Sequence, residues 1–220
     1  MTVSLVLLAL IMFVVIGWLL RQTLNTQPWI PRSADNAVSG TSIDTPAKTF
    51  GLVSFLAVAT SLFALFISAY AMRMNMGDWR PVGEPQLLWV NSAFLALASI
   101  VYEWTRRAAR NGRSEKLKPG LVVAGLFTFL FLGGQLIAWQ QLNASGHYMT
   151  SNPASAFFYV LTAVHGLHLL GGLWVWARSL VRVFSGAEAD SVRLSIELCA
   201  VYWHYLLLVW AVLFGLLLTT

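Results

Sequence analysis

The chain has 220 residues, of which 58% are hydrophobic and only 10% are charged. Because soluble domains carry about 25% charged residues, this composition excludes an ordinary soluble protein and predicts an integral membrane protein. The net charge of +5 does not indicate nucleic-acid binding, since the basic residues lie in short loops between apolar segments, where they set membrane topology.

Six apolar segments predict an all-α integral membrane fold with six spans, at residues 3–20, 50–72, 86–106, 119–140, 155–178 and 195–218. Each approaches or exceeds the roughly 20 residues that cross a bilayer. We predict three parts: an N-terminal transmembrane anchor (1–21), a cytoplasmic linker (22–49) and a bundle of five transmembrane helices (50–220). The first basic residue, Arg21, follows the first segment, which favours a retained anchor over a cleaved signal peptide.

The basic residues are distributed unequally between the loops. Twelve of the fourteen Lys and Arg residues lie after the first, third and fifth segments, and only Arg73 and Arg80 lie in the loops between them. Because positively charged loops stay inside, the three basic loops are predicted to be cytoplasmic and both termini to lie outside.

Polar residues interrupt the last two segments. His165 and His168 are three residues apart in the fifth, and Glu197 and His204 are two helical turns apart in the sixth, which also contains Tyr202. Three hypotheses fit these residues: a metal site, a proton relay, or a buried polar network that holds helices in register. Buried polar groups are usually hydrogen-bonded, and the spacing does not require the side chains to converge on one point.

Small residues predict close helix contacts and local helix breaks. The fourth segment is expected to break at 133–135 (GGQ) and the fifth at Gly171 and Gly172, while Asn91, Ser92 and Ser99 form a polar stripe on the third. Small residues let helices approach, and polar ones bond across the contact. The single cysteine, Cys199, excludes an intrachain disulfide and a cysteine cluster for metal.

The polar motifs resemble a known family. The run 157–168 (FFYVLTAVHGLH), then Glu197, 202–204 (YWH) and Trp210, is similar to the last two helices of subunit III of haem-copper respiratory oxidases, the cytochrome c oxidase subunit 3 family. Upstream, 85–91 (PQLLWVN), Ser99, Gln135 and Trp139 also fit. The resemblance covers about residues 50–218.

The resemblance implies a subunit without catalytic, cofactor-binding or metal-ligating residues of its own. Haem and copper are then expected in subunits I and II, and this chain is expected to pack on subunit I, bind phospholipid and stabilise turnover in the bacterial inner membrane. On this view a structural polar network is formed by His165, His168, Glu197, Tyr202 and His204.

Lipid head groups are predicted to contact basic side chains near the inner interface, with Arg106, Arg107 and Arg178 as candidates, because basic pockets at that depth suit anionic head groups. The alternative is that these arginines only anchor the topology.

Two positions depart from the family pattern. Relatives often carry a carboxylate where this chain has Thr60, and an aspartate where it has Leu207. The loss of a titratable group at both positions favours a structural role over proton conduction.

Three other functions compete with this hypothesis: subunit III of a quinol oxidase, an accessory subunit of a nitric oxide reductase, and an independent solute transporter. A transporter needs convergent ionisable groups at mid-membrane, whereas Glu197 is the only acid expected deep within a span. The electron donor, the partner's haem types and membership of a respiratory supercomplex are left open by the sequence.

Overall fold

The computed structural model describes residues 44–80, 86–187 and 189–218. These residues form five long helices and one short 3₁₀ turn (Ser114–Lys116), which are α1 (Asp44–Arg73), α2 (Leu87–Arg110), α3 (Leu117–Ala144), α4 (Pro153–Phe184) and α5 (Ala189–Leu218). The described ranges contain no β-strand. All five helices are long and apolar enough to cross a membrane, which confirms the five predicted spans between 50 and 218. The predicted anchor at 3–20 lies outside the described residues.

The helices extend beyond the apolar segments that predicted them. The helix α4, for example, covers Pro153–Phe184 where the sequence predicted 155–178. At its start the side chain of Asn152 accepts a hydrogen bond from the backbone N–H of Ser155, and Pro153 occupies the first helical turn. Both features favour helix initiation at this point.

Three helices end in the same way, with a left-handed glycine two residues after the last helical residue. These are Gly112 after α2, Gly146 after α3 and Gly186 after α4. After α3, for example, the N–H of His147 donates to the carbonyl of Leu142 over 3.0 Å. This hydrogen bond satisfies a carbonyl that the helix leaves open, so each of these three helices ends at a defined residue.

The described residues fall into two compact units, which divide between Met72 and Arg73. In the second unit, α2 packs against α3 and α5, and α4 packs against the same two helices. The four helices therefore form a closed bundle with a common interior. The grouping of α1 with them in one five-helix domain stays a prediction.

The predicted helix breaks are wrong, because α3 and α4 are continuous through residues 133–135 and 171–172. A helix-interior glycine costs only about 1 kcal/mol relative to alanine, which helix packing offsets. The predicted close contacts do exist: Asn91 lies where a Cβ of Gly134 would be, and a Cβ on Gly172 would lie 2.6 Å from Cε1 of Tyr202. These two glycines therefore admit a neighbouring side chain.

The two basic residues predicted to lie on the outer side are Arg73, the last residue of α1, and Arg80 in the loop that follows. Arg73 donates a hydrogen bond of 2.6 Å to the carboxylate of Asp78. This guanidinium holds the pKa of the Asp78 carboxyl below its ordinary value. The positive charge of Arg73 is therefore balanced locally, which agrees with the low net charge of this loop.

Candidate functional site

Two tryptophans of α5 donate hydrogen bonds across the bundle interior. The indole of Trp203 donates to the hydroxyl of Thr128 on α3 over 3.0 Å, and both residues are fully buried. The indole of Trp210 donates to the hydroxyl of Ser92 on α2 over 2.9 Å. Since Trp is a donor only and a hydroxyl can accept while it donates, both bonds are chemically matched.

The two accepting hydroxyls are themselves fixed by their own helices. Thr128 donates to the carbonyl of Ala124 over 2.9 Å, and Ser92 donates to the carbonyl of Leu88 over 2.8 Å. Each hydroxyl rotor is thereby aligned so that its lone pairs face the indole. The hydrogen bonds therefore orient α5 relative to α3 and α2.

Aromatic packing surrounds these bonds. The Trp203 ring lies 4.3 Å from that of Tyr102 on α2, and the Trp210 ring lies 5.0 Å from that of Phe131 on α3 and 5.3 Å from that of His165 on α4. Phe131 and His165 also meet edge to face, with centroids 6.0 Å apart. One interior cluster thus contains side chains from all four helices.

His204, the residue after Trp203, also joins α5 to α2. A hydrogen bond of 2.6 Å links its Nδ1 to the hydroxyl of Ser99. Its Nε2 lies 3.5 Å from the carboxylate of Glu103. The imidazole therefore bridges a buried hydroxyl and a partly exposed acid.

Two glutamates neutralise arginines where α2 and α5 approach the basic loops. Glu103 pairs with Arg106 at 3.3 Å and with Arg107 at 3.0 Å, both on its own helix. Glu197 of α5 pairs with Arg110 of α2 at 2.9 Å and with Arg193 at 3.2 Å. The Glu197–Arg110 pair is the one that crosses between the helices.

The contacts of α3 with α4 follow the same principle. The indole of Trp176 donates to the carbonyl of Leu121 over 2.9 Å, and the indole of Trp139 donates to the hydroxyl of Thr162 over 3.1 Å. Near the loop between these helices, the phenol of Tyr159 lies 2.9 Å from the side-chain oxygen of Asn143. Polar contacts therefore join α3 and α4 at both ends.

The five residues predicted as one polar network are placed in several separate contacts. Glu197 and His204 both face α2, through Arg110 and Ser99 respectively. Tyr202 donates to the backbone carbonyl of His168 over 2.8 Å. The ring of His168 is 2.8 Å from the carbonyl of Val164 on its own helix.

His165 is fully buried among the aromatic rings. Glu197 does not lie deep in its span as predicted, because α5 begins at Ala189 and brings it level with the last turn of α2.

Within the described ranges, no three His, Cys, Asp or Glu side chains are grouped as metal ligands would be. The contacts that the sequence analysis missed are the indole–hydroxyl bonds and the role of Glu103. A usable signal for Glu103 was present, because acidic and basic residues three or four positions apart pair on a helix. The indole bonds had no comparable signal, since they join residues far apart in the chain.

The predicted lipid-binding arginines differ in their surroundings. Arg106 and Arg107 both pair with Glu103. Arg178 is exposed on α4 and forms no ion pair with another described residue. It is therefore the one of the three whose charge is not balanced by a carboxylate of the described chain.

Fold and contacts together define a multi-pass membrane protein whose interior polar groups join one helix to the next. The family of cytochrome c oxidase subunit III matches residues 2–218, and the chain belongs to that family. It is thus a subunit III of a haem-copper oxidase, a member of a multi-subunit complex in the respiratory chain. The match begins at residue 2, so it extends well beyond the 50–218 covered by the motifs.

Individual relatives support the same assignment. The chain is 32% identical over 173 residues to cytochrome c oxidase subunit 3 of Synechocystis sp., covering 76% of this chain and 73% of the relative. It is 25% identical over 175 residues to the subunit of the same name from Thermostichus vulcanus, covering 77% and 86%. The probable cytochrome c oxidase subunit 3 of Mycobacterium tuberculosis is 31% identical over 170 residues, covering 74% and 81%.

Proposed function

We propose that this chain is a non-catalytic subunit of a cytochrome c-type terminal oxidase, in which subunits I and II hold the haem and copper that reduce oxygen. The observation that supports this most directly is the use of the interior polar side chains. The hydrogen bonds of Trp203, Trp210 and His204 all go to side chains of neighbouring helices. These side chains therefore serve to hold the helices together, as expected of a structural subunit.

The outer faces of the bundle suit a partner helix or acyl chains. Large apolar side chains are exposed on α3 and α4, among them Leu126, Phe129, Leu167, Leu170 and Trp174. A surface of this kind is stable only against lipid or another apolar surface. We infer that subunit I covers part of it and lipid covers the rest.

A role in proton uptake is disfavoured by the residues at the two family carboxylate positions. The hydroxyl of Thr60 donates to the carbonyl of Leu56 on its own helix over 2.7 Å, and Leu207 has no titratable group. Neither side chain exchanges a proton near neutral pH. We therefore propose that the chain acts by stabilising the complex.

Two neighbouring functions remain as alternatives, a quinol oxidase subunit III and an accessory subunit of a nitric oxide reductase. The relatives described above are named as cytochrome c oxidase subunits, which favours the cytochrome c type. Purification with the native partners separates the three, because the partner's optical spectrum and its reaction with cytochrome c, quinol or nitric oxide differ.

Both termini are proposed to lie on the periplasmic side of a bacterial inner membrane, because the basic loops alternate with poorly charged ones. We expect a cysteine introduced by Thr150→Cys to react with a membrane-impermeant maleimide in intact cells, and one introduced by Asn111→Cys to react only after lysis. Both positions are exposed. The unmodified chain, whose Cys199 is buried, is the control. Labelling of the Asn111→Cys variant in intact cells would show that the orientation is opposite to the one proposed.

A phospholipid head group is proposed to bind at Arg178. Removing one cation from an anionic head-group contact costs about 1 kcal/mol, or roughly fivefold in affinity. Arg178→Gln should therefore lower the phospholipid that remains bound to the purified complex in native mass spectrometry. Arg113→Gln removes the same charge from an exposed loop residue and should leave bound lipid unchanged. Equal lipid content in both variants would mean that Arg178 only sets the membrane topology.

A complex purified from cells that lack this chain should retain its haem spectrum and its initial rate of oxygen reduction. Its activity should decay faster during sustained turnover, because the scaffold on subunit I is missing. The measurement is oxygen consumption over successive substrate additions, and adding back the full chain should restore the lifetime. Immediate loss of haem from the depleted complex would contradict a purely supporting role.

A further inference from the structure

Two buried amide side chains, one on α2 and one on α3, have no hydrogen-bond partner among the described residues. Asn91 is fully buried and Gln135 is 5% exposed. The nitrogen and the oxygen of both amides are enclosed and unpartnered. Buried amides are almost always satisfied by protein or by ordered water, so these four atoms require an explanation.

The two residues lie close to each other on the interior sides of their helices. The Asn91 side chain abuts the backbone of Gly134, the residue that precedes Gln135. Asn91 follows the buried Leu88 on α2, and Gln135 lies between the buried Phe131 and Ala138 on α3. The region between the amides is therefore interior to the bundle.

Further contacts fix the level of this region. The neighbour of Asn91, Ser92, accepts the indole hydrogen bond of Trp210. The Trp210 ring contacts Phe131, which lies one turn before Gln135. The amides thus lie beside the aromatic cluster that holds the four helices together.

The charged residues of α2 and α3 lie far from the two amides. The nearest charged residue along α2 is Glu103, twelve positions or about 18 Å from Asn91 at the helical rise. The only charged residue of α3 is Lys118, at its opposite end. Two neutral amides offer both donors and acceptors, so a small neutral partner that both donates and accepts suits them.

We propose that one ordered water molecule is bound between Asn91 and Gln135 and bridges α2 to α3. Water fits because a buried molecule makes about three hydrogen bonds and occupies polar interior sites of this kind. Lipid offers no competing donor or acceptor, so this water links the two helices beside the contact of Asn91 with Gly134. The proposed function of the chain as a supporting subunit does not depend on this water site.

The first test is a structure of the complete oxidase with the unmodified chain, at a resolution that shows ordered water. A density peak within hydrogen-bonding distance of both amides is the expected result. A direct hydrogen bond between Asn91 and Gln135, or an interior without density between them, would overturn the proposal.

The second test is a double-mutant cycle with Asn91→Leu and Gln135→Met, which keep the side-chain shapes close to those of the amides. Each single variant strands the other amide, while the double variant removes both polar groups. The midpoint of thermal unfolding should therefore fall less in the double variant than the two single shifts added together.

Gln141→Met serves as the matched control, because Gln141 is an exposed glutamine on the same helix. Its combination with Asn91→Leu should be additive. Additivity for the Asn91 and Gln135 pair as well would reject a shared water.

Discussion

The hydrogen bonds between interior side chains hold the described bundle together, because a membrane interior leaves polar groups no alternative partner. The indole of Trp203 reaches Thr128 on α3, and the indole of Trp210 reaches Ser92 on α2. His204 adds a bond to Ser99. Trp203, Trp210 and His204 all lie on α5, so their hydrogen bonds fix the position of this helix relative to α2 and α3. Lipid is as apolar as the helix faces, which means that hydrophobic burial alone would not select these pairings.

Two kinds of polar contact occur at different depths of the bundle. The middle of the bundle contains aromatic rings and neutral hydrogen bonds, and the charged residues of α2 and α5 are confined to one end, where Glu103 and Glu197 pair with arginines. A bundle fixed internally in this way leaves its outer faces free for a partner and for lipid. That division is what the proposed supporting role in an oxidase requires.

The sequence predicted the existence of five spans well, because apolar length is a strong signal in membrane proteins. It did not predict that α5 begins at Ala189, which places Glu197 beside Arg110, because ion pairs extend a helix beyond its apolar run. Gly134 and Gly172 were expected to break helices, yet they admit neighbouring side chains. The pairing of Trp203 with Thr128 depends on how two helices are rotated, and residues 75 positions apart leave no local pattern that reveals it.

The coupling between Trp203 and Thr128 tests the central claim most directly. A double-mutant cycle with Trp203→Phe and Thr128→Val, measured by the free energy of unfolding in detergent, should give a coupling of about 0.6 kcal/mol and at most about 1.7 kcal/mol. As a control, Trp203→Phe combined with Ser92→Ala should show no coupling, because Ser92 accepts its hydrogen bond from Trp210 and not from Trp203. A coupling of zero between Trp203 and Thr128 would contradict the claim that this interior hydrogen bond holds α5 against α3.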